Sequence, residues 1–388
     1  MNDYLDASRV LFVLGAGASV PLGMPTTLAL RTALCDATPE GQLAAELHQS
    51  AAYRYRVSGD AINIEDLLEH LYELQLLLWL AQRSSLPQLL PNLTSNSPVL
   101  TSAHQKLRGL QWRVYQMLHK KCGDCSGTKV GALWKSILGC LSTRQPVVPI
   151  FTLNYDWTFE KLAIERTNQY QLIDGFELLG GRWDADRFSK MEPEAGKINI
   201  ALFKLHGSTN WLPGGPVKSM GSFPAERESG DDSLPPHLFE MVYPGHAHEL
   251  WLGKESWGHL NGSDGMFEPW NESDPYKTLH AHLHDLSRRV DLIVVIGYAF
   301  HDERVNSEIV EAVNTNDQTR VLVVDPGIER HVKASGTTHQ EAPFQSLAFG
   351  PSQCNWSRFD WLMGRFGDNR VTTQLVRAIS ATASKRSS

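Results

Sequence analysis

The 388 residues carry 42% hydrophobic and 20% charged side chains, a balance that supports a sizeable core and argues against a disordered chain. A net charge of -7 argues against a broad nucleic-acid or anionic-membrane surface, which needs clustered Lys and Arg. No strong intrinsic nucleic-acid binding and no membrane span are expected. Five cysteines and a start, MNDYLDASRV, without a basic-then-apolar leader predict a reducing cytoplasm rather than a disulfide framework.

In chain order, Val10 to Leu14 reads as a buried parallel strand, followed by the turn Gly15-Ala16-Gly17-Ala18-Ser19. Pro21, Met24, Pro25 and Thr26 continue an irregular segment, which suits a loop over a ligand. Ile64, Leu67, Leu68, Leu71 and Leu74 then follow helical spacing, and Leu100 to Leu141 is helical with a break near Gly123. This stretch is far longer than an ordinary crossover, so about 28–145 reads as an inserted helical subdomain. Val147 to Thr152 and Ile200 to Leu205 are further strands, with a helix over Trp157 to Ala163 between them. Residues 210 to 275 are rich in Gly, Pro, Ser and Trp and read as a loop-rich insertion, with Glu226 to Pro236 as its mobile part. Asp291 to Ile296 and Arg320 to Val324 complete the strands, with a helix over Val305 to Val313 capped and decorated by Asp302, Glu303 and Arg304, for which subunit contact is the alternative. Trp356 to Gly364 and Val371 to Thr382 read as closing helices of a C-terminal extension, 331–388. The fold class is α/β: a Rossmann-like parallel sheet over 1–330 with a large helical insertion.

Ligands of such sheets gather at the carboxyl ends of the strands, and here each end carries polar or glycine residues. Gly15 and Gly17 let backbone N–H groups approach a pyrophosphate, helped by a helix N-terminus, although a plain tight turn accounts for them equally well. The third glycine of the dehydrogenase fingerprint is replaced by Val20. Asn154 and Asp156 alternate with Tyr155, so in extended chain both polar groups share one side. That pair suits a ribose or nicotinamide; Asp156 suits a helix N-cap equally. His206, in Lys204-Leu205-His206-Gly207-Ser208, is a candidate general base. Gly297, in the turn before Phe300, and Asp325, at the last strand end, have the character of cofactor contacts. His280 and His284 share a helix spacing open to a metal, but their stripe reads better as a solvated face. His246 and His248 read as loop residues. Cys122 and Cys125 form one CxxC pair without a second, so neither a zinc ribbon nor any other metal site is expected.

These pieces in this order, GAGAS at 15–19, TLNYD at 152–156, KLHGS at 204–208, GYAFHD at 297–302 and VVD at 323–325, resemble the sirtuin-like (silent-information-regulator type) fold. The resemblance is nearest to its bacterial branch of NAD-consuming defence proteins. It implies Asn154 and His206 as the catalytic pair, assisted by Asp156. It also implies an NAD+ site built from Gly15, Ala16, Gly17, Ser19, Pro25, Thr26, Gly297 and Asp325. The missing zinc module favours NAD hydrolysis over protein deacylation, with ADP-ribosyl transfer and a non-catalytic NAD sensor as the other readings. A defence role implies activation by a homo-oligomer, a HerA-type hexameric ATPase or helicase, or a short prokaryotic Argonaute.

Overall fold

Apolar β-branched strands without polar alternation need cover on both faces, and amphipathic helices supply it. The computed structural model has this form. It describes residues 3–36, 38–55, 98–122, 125–176, 183–190, 192–208, 275–300, 302–327 and 354–384, with isolated positions between them. Seven parallel strands form one sheet: β1 (Val10–Leu14), β2 (Val148–Thr152), β3 (Tyr170–Ile173), β4 (Ile198–Lys204), β5 (Leu292–Ile296), β6 (Arg320–Asp325) and β7 (Phe359–Met363), in the order β7-β6-β5-β1-β2-β4-β3. The chain leaves β1 toward β2 and returns to pair β5 on its other side. The β1–β5 boundary is therefore the switch point of this Rossmann-like sheet, where a crevice opens at the carboxyl edge.

Alternate strand residues feed two cores. Leu11, Val13, Phe151, Phe203, Ile293 and Val295 face one layer, covered by α6 (Tyr276–Ser287) and α7 (Glu303–Thr315). Val305, Ile309, Ala312 and Val313 of α7 fall on one helical stripe against that layer. Val10, Phe12, Ile150, Leu202 and Val294 face the other layer, covered by α4 (Gly127–Ser142), α5 (Thr158–Glu165) and α8 (Asn369–Ser384). A third cluster joins α1 (Thr27–Leu34), α2 (Pro39–Tyr55), α3 (Pro98–Cys122) and the helical positions Ile64, Leu67 and Leu71. This third core is separate from the two that flank the sheet. Tyr155 is the one residue of the TLNYD segment that it buries.

Two boundaries differ from the sequence reading. The second insertion helix, α4, belongs to the sheet: Val130, Trp134, Ile137, Leu138 and Leu141 pack on the strand core rather than on the subdomain. Trp356 to Gly364 is not a helix; a single 3-10 turn, Trp356–Arg358, leads into edge strand β7, paired with β6 from Val321↔Phe359 to Asp325↔Met363. Phe359 and Trp361 pack on one core and Leu362 on the other, while Asp360 meets Arg320 at 2.6 Å. The C-terminal residues thus extend the sheet as well as adding α8. Of the span 210–275, the pairs Trp211–Leu212 with Lys218–Ser219 and Gly207–Ser208 with Glu240–Met241 are short antiparallel pairings. Glu226 to Pro236, His246 and His248 lie outside the described residues.

The switch point is closed by glycines packed backbone to backbone. Gly15 N donates to Ile296 O at 3.0 Å and Gly17 N to Gly297 O at 2.9 Å, carrying the ladder past both strand ends. Gly297 has φ +60, and a Cβ on it would sit 2.3 Å from the Gly17 carbonyl carbon and 2.4 Å from Ala18 N. Gly297→Ala is expected to cost about 3 kcal/mol or more, because backbone cannot yield as a side-chain tip does. The midpoint of urea unfolding checks this, and an unchanged midpoint would show that the turns separate freely.

Candidate functional site

The carboxyl edge of the sheet presents two hydrogen-bonded groups, one on each side of the β2–β4 strand ends. The first begins at the glycine turn. Two 3-10 turns, Ala16–Ala18 and Val20–Leu22, follow β1 and bring Ser19, 5% exposed, beneath Asn154 and Asp156. Asn154 Nδ2 donates to Gly15 O at 3.0 Å and to Ser19 Oγ at 3.1 Å; Ser19 Oγ donates to Asp156 Oδ2 at 2.7 Å. The alternation around Tyr155 thus brings both polar side chains to one hydroxyl. Gly15 O only accepts, so the amide must turn its NH₂ inward. With both protons spent, Oδ1 remains as the outward acceptor of Asn154.

Asp156 is also the local N-cap: its Oδ1 accepts from Thr158 N at 3.0 Å at the start of α5. Both readings of its carboxylate therefore hold at once, one oxygen for the helix and one for Ser19. Below lies Lys204, the polar end of the apolar strand β4. Its ammonium donates to Asp156 O at 2.5 Å, Glu160 Oε1 at 2.7 Å and Ser208 Oγ at 2.6 Å. The Lys204 and Glu160 residues are each 2% exposed, and removing one partner of such a buried pair costs about 3–5 kcal/mol.

The glycine turn is spent more fully than its sequence suggests. Its N–H groups at Gly15, Gly17, Ala18 and Ser19 all donate to backbone carbonyls. Ala16 is the residue of this turn whose N–H no backbone carbonyl receives among the described residues. The missing side chains of Gly15 and Gly17 make room for the Gly297 backbone.

The second group is centred on His206, 1% exposed. Its Nε2 lies 2.8 Å from Asp302 Oδ2. The other oxygen of Asp302 accepts from Arg304 N at 2.9 Å and Val305 N at 3.1 Å, capping α7. The GYAFHD turn is itself tied down. Tyr298 Oη donates to Asn306 Oδ1 at 2.9 Å and receives Asp302 N at 3.1 Å, while Phe300 is held at φ +59. Burial pushes the Asp302 carboxyl upward, yet the His206 hydrogen bond and the charges of His206 and His280 outweigh it and hold the pKa below the ordinary value. Asp302 was expected to cap a helix, with subunit contact as the alternative; its bond to His206, 96 residues away, is a feature that the sequence conceals. Lys204, Glu160 and Ser208 were likewise missed, although a lysine closing an apolar strand is a readable signal.

The remaining expected contacts lie farther along the edge. Thr26 is exposed and caps α1, accepting from Ala29 N at 3.3 Å; Pro25 precedes it, half-buried. Gly297 sits at the switch point. Asp325 ends β6, half-buried, and accepts from Gly327 N at 2.5 Å.

The α6 histidines separate. His284 is exposed and meets Glu308 at 3.1 Å. His280, expected on a solvated face, is 1% exposed among Leu279, Leu283 and Leu286. Burial, with Arg304 adding to it, lowers its pKa to about 3. Its folded value lies below the unfolded one, so the unfolded chain alone takes up a proton as pH falls below about 6.5. Stability is then lost by about 1.4 kcal/mol per pH unit down to about 3. His280→Gln is expected to flatten that slope in urea titrations between pH 7 and pH 5; an unaltered slope would place the acid sensitivity elsewhere. Cys125 is buried, and burial pushes its thiol up to about 12. Among the described residues no three metal-ligating side chains cluster, and no helix is long and apolar enough to cross a membrane.

No family model and no curated protein matches the chain. Among solved structures, it is similar to a Sir2 homologue–NAD complex, at 14% identity and TM-score 0.40, covering 98% of this chain and 93% of that one. A mutant Sir2 homologue in complex with ADP-ribose is similar at 14% identity and TM-score 0.43, covering 98% and 96%. Sir2Tm bound to a propionylated peptide follows at 12% identity and TM-score 0.35, covering 97% and 95%. The architecture of this chain, a Rossmann-like α/β sheet with glycines at its switch point, rests on its own strand pairing.

Proposed function

We propose that this protein is an NAD+ glycohydrolase, cleaving the nicotinamide–ribose bond to give nicotinamide and ADP-ribose. The observation that carries the reading is the Asn154 amide, fixed by Gly15 O and Ser19 Oγ with its carbonyl oxygen left as acceptor at the switch-point edge. Cleavage of this bond builds positive charge on the ribose, as in glycoside hydrolysis. A preorganised carbonyl dipole can receive a ribose hydroxyl or the attacking water and favour that charge. Asp156 acts through Ser19 as a positioning residue. Ala16 N–H is the donor left for a phosphate, with Gly15, Gly17, Ser19, Gly297, Pro25, Thr26 and Asp325 around the dinucleotide. His206, oriented by Asp302, is the proton acceptor. No metal enters this scheme.

The imidazole is 1% exposed, so substrate meets it only after rearrangement. That supports an effector silent until activated, in keeping with an abortive-infection role in anti-phage defence within the cytoplasm. The proposed activators are a homo-oligomer, a HerA-type ATPase or a short Argonaute, which co-expression and gel filtration distinguish. The functional test incubates the full chain, alone and with each activator, with NAD+. Equal nicotinamide and ADP-ribose are expected, and His206→Ala is expected to lose about 10²–10⁴-fold in rate. Full activity in that variant would overturn the assignment. Acyl-ADP-ribose or labelled protein would indicate group transfer instead, and saturable calorimetric binding without turnover a sensor.

A further inference from the structure

Beneath Asn154 and Asp156 lies a small cavity of about 10 Å³, lined by Ser19, Trp134, Thr158, Glu160 and Lys204 among others. Three of these side chains bury a polar atom that has no hydrogen-bond partner among the described residues: Trp134 Nε1, Thr158 Oγ1 and Glu160 Oε2. Their residues are 1%, 5% and 2% exposed. Native proteins rarely leave such atoms unpaired, and each costs about 1–3 kcal/mol when they do. Three around one cavity point to a common partner.

We infer that this cavity is a binding site for a single internal water molecule, which accepts a hydrogen bond from Trp134 Nε1 and donates one to Glu160 Oε2, with Thr158 Oγ1 as a third partner. The volume fits, since one water needs roughly 10–15 Å³ of such space and commonly makes about three hydrogen bonds. The donor set selects water over a cation. An indole N–H only donates, so its partner must offer a lone pair, whereas the carboxylate oxygen needs a donor. A metal ion satisfies the second demand and violates the first. Neighbouring side chains cannot serve instead. The three ammonium donors of Lys204 go to Asp156 O, Glu160 Oε1 and Ser208 Oγ, and both amide protons of Asn154 are spent. The water holds Glu160 from the side opposite Lys204. Because Lys204 also holds the Asp156 carbonyl, the water and Trp134 form the floor under the groups that orient Asn154. This conclusion rests on packing and polarity alone and does not depend on the proposed reaction.

A high-resolution crystal structure of the full chain is expected to show one ordered water within hydrogen-bond distance of all three atoms. An empty cavity, or density that refines as a cation, would overturn the inference. A double-mutant cycle of Trp134→Phe and Thr158→Val tests it in solution. Trp134→Phe keeps a ring against Phe12, Phe159 and Phe366 while removing the N–H. Each single variant is expected to lower the folding equilibrium constant roughly tenfold, and the double variant by clearly less than the product, since both lose the same water. Strict multiplication of the two effects would count against a shared molecule.

Discussion

Asn154→Ala is expected to lower nicotinamide release by about 10²–10³-fold, some 3–4 kcal/mol of transition-state stabilisation, while leaving the chain folded. The two expectations have separate causes. Catalytic loss follows from removing the one oriented carbonyl oxygen at the β2 end, whose direction Gly15 O and Ser19 Oγ fix in advance. Such preorganisation is lost whole when the side chain goes. Stability should change by only about 1 kcal/mol, because Asn154 is half-buried and Ser19 keeps its 2.7 Å bond to Asp156. Asn154→Asp sharpens the test. A carboxylate there turns an acceptor toward Gly15 O and adds charge beside Asp156, so this near-isostere should lose activity and stability together. Rates of nicotinamide release, read beside urea midpoints, separate the two variants. An active Asn154→Ala enzyme would mean that the amide only braces the glycine turn.

The sequence announced this group because its signals are local. Asn154 and Asp156 lie one residue either side of an aromatic, and alternation in extended chain is enough to bring them to one hydroxyl. The five strands predicted were legible for a similar reason: each is a run of buried β-branched or aliphatic residues closed by a polar residue or glycine. The two strands that escaped are edges. Tyr170–Ile173 is short and buried only at its two ends. Phe359–Met363 was misread because Trp356, Phe359 and Met363 also satisfy helical spacing, and only pairing with β6 decides between the two periods. Helix α4 was placed in the insertion since periodicity reveals that a helix has an apolar face but not which core that face meets. His280 and Asp302 share that difficulty. Their partners lie on other elements, and nothing near either residue marks it as buried.

Asp302→Asn is the sharpest test of the second group. Asparagine keeps the size of the side chain and caps helices as well as aspartate, so the bonds from Arg304 N and Val305 N to the start of α7 should survive. What changes is the 2.8 Å contact with His206. A carboxylate there favours the protonated imidazole that the proposed reaction requires of His206, and it fixes which ring nitrogen carries hydrogen. An amide provides neither the charge nor a unique orientation. Activity is expected to fall by about 10²–10⁴-fold, and the limb of the pH–rate profile governed by this base should move to lower pH. A purely structural Asp302 would leave that limb in place. Asp302→Ala should add a stability loss of about 1 kcal/mol from the missing cap and about 1–3 kcal/mol from a buried ring nitrogen left without its acceptor. The two variants therefore divide the residue by oxygen, Oδ2 serving His206 and Oδ1 serving the helix. Equal activity in Asp302→Asn and the parent protein would show that His206 takes its orientation from elsewhere.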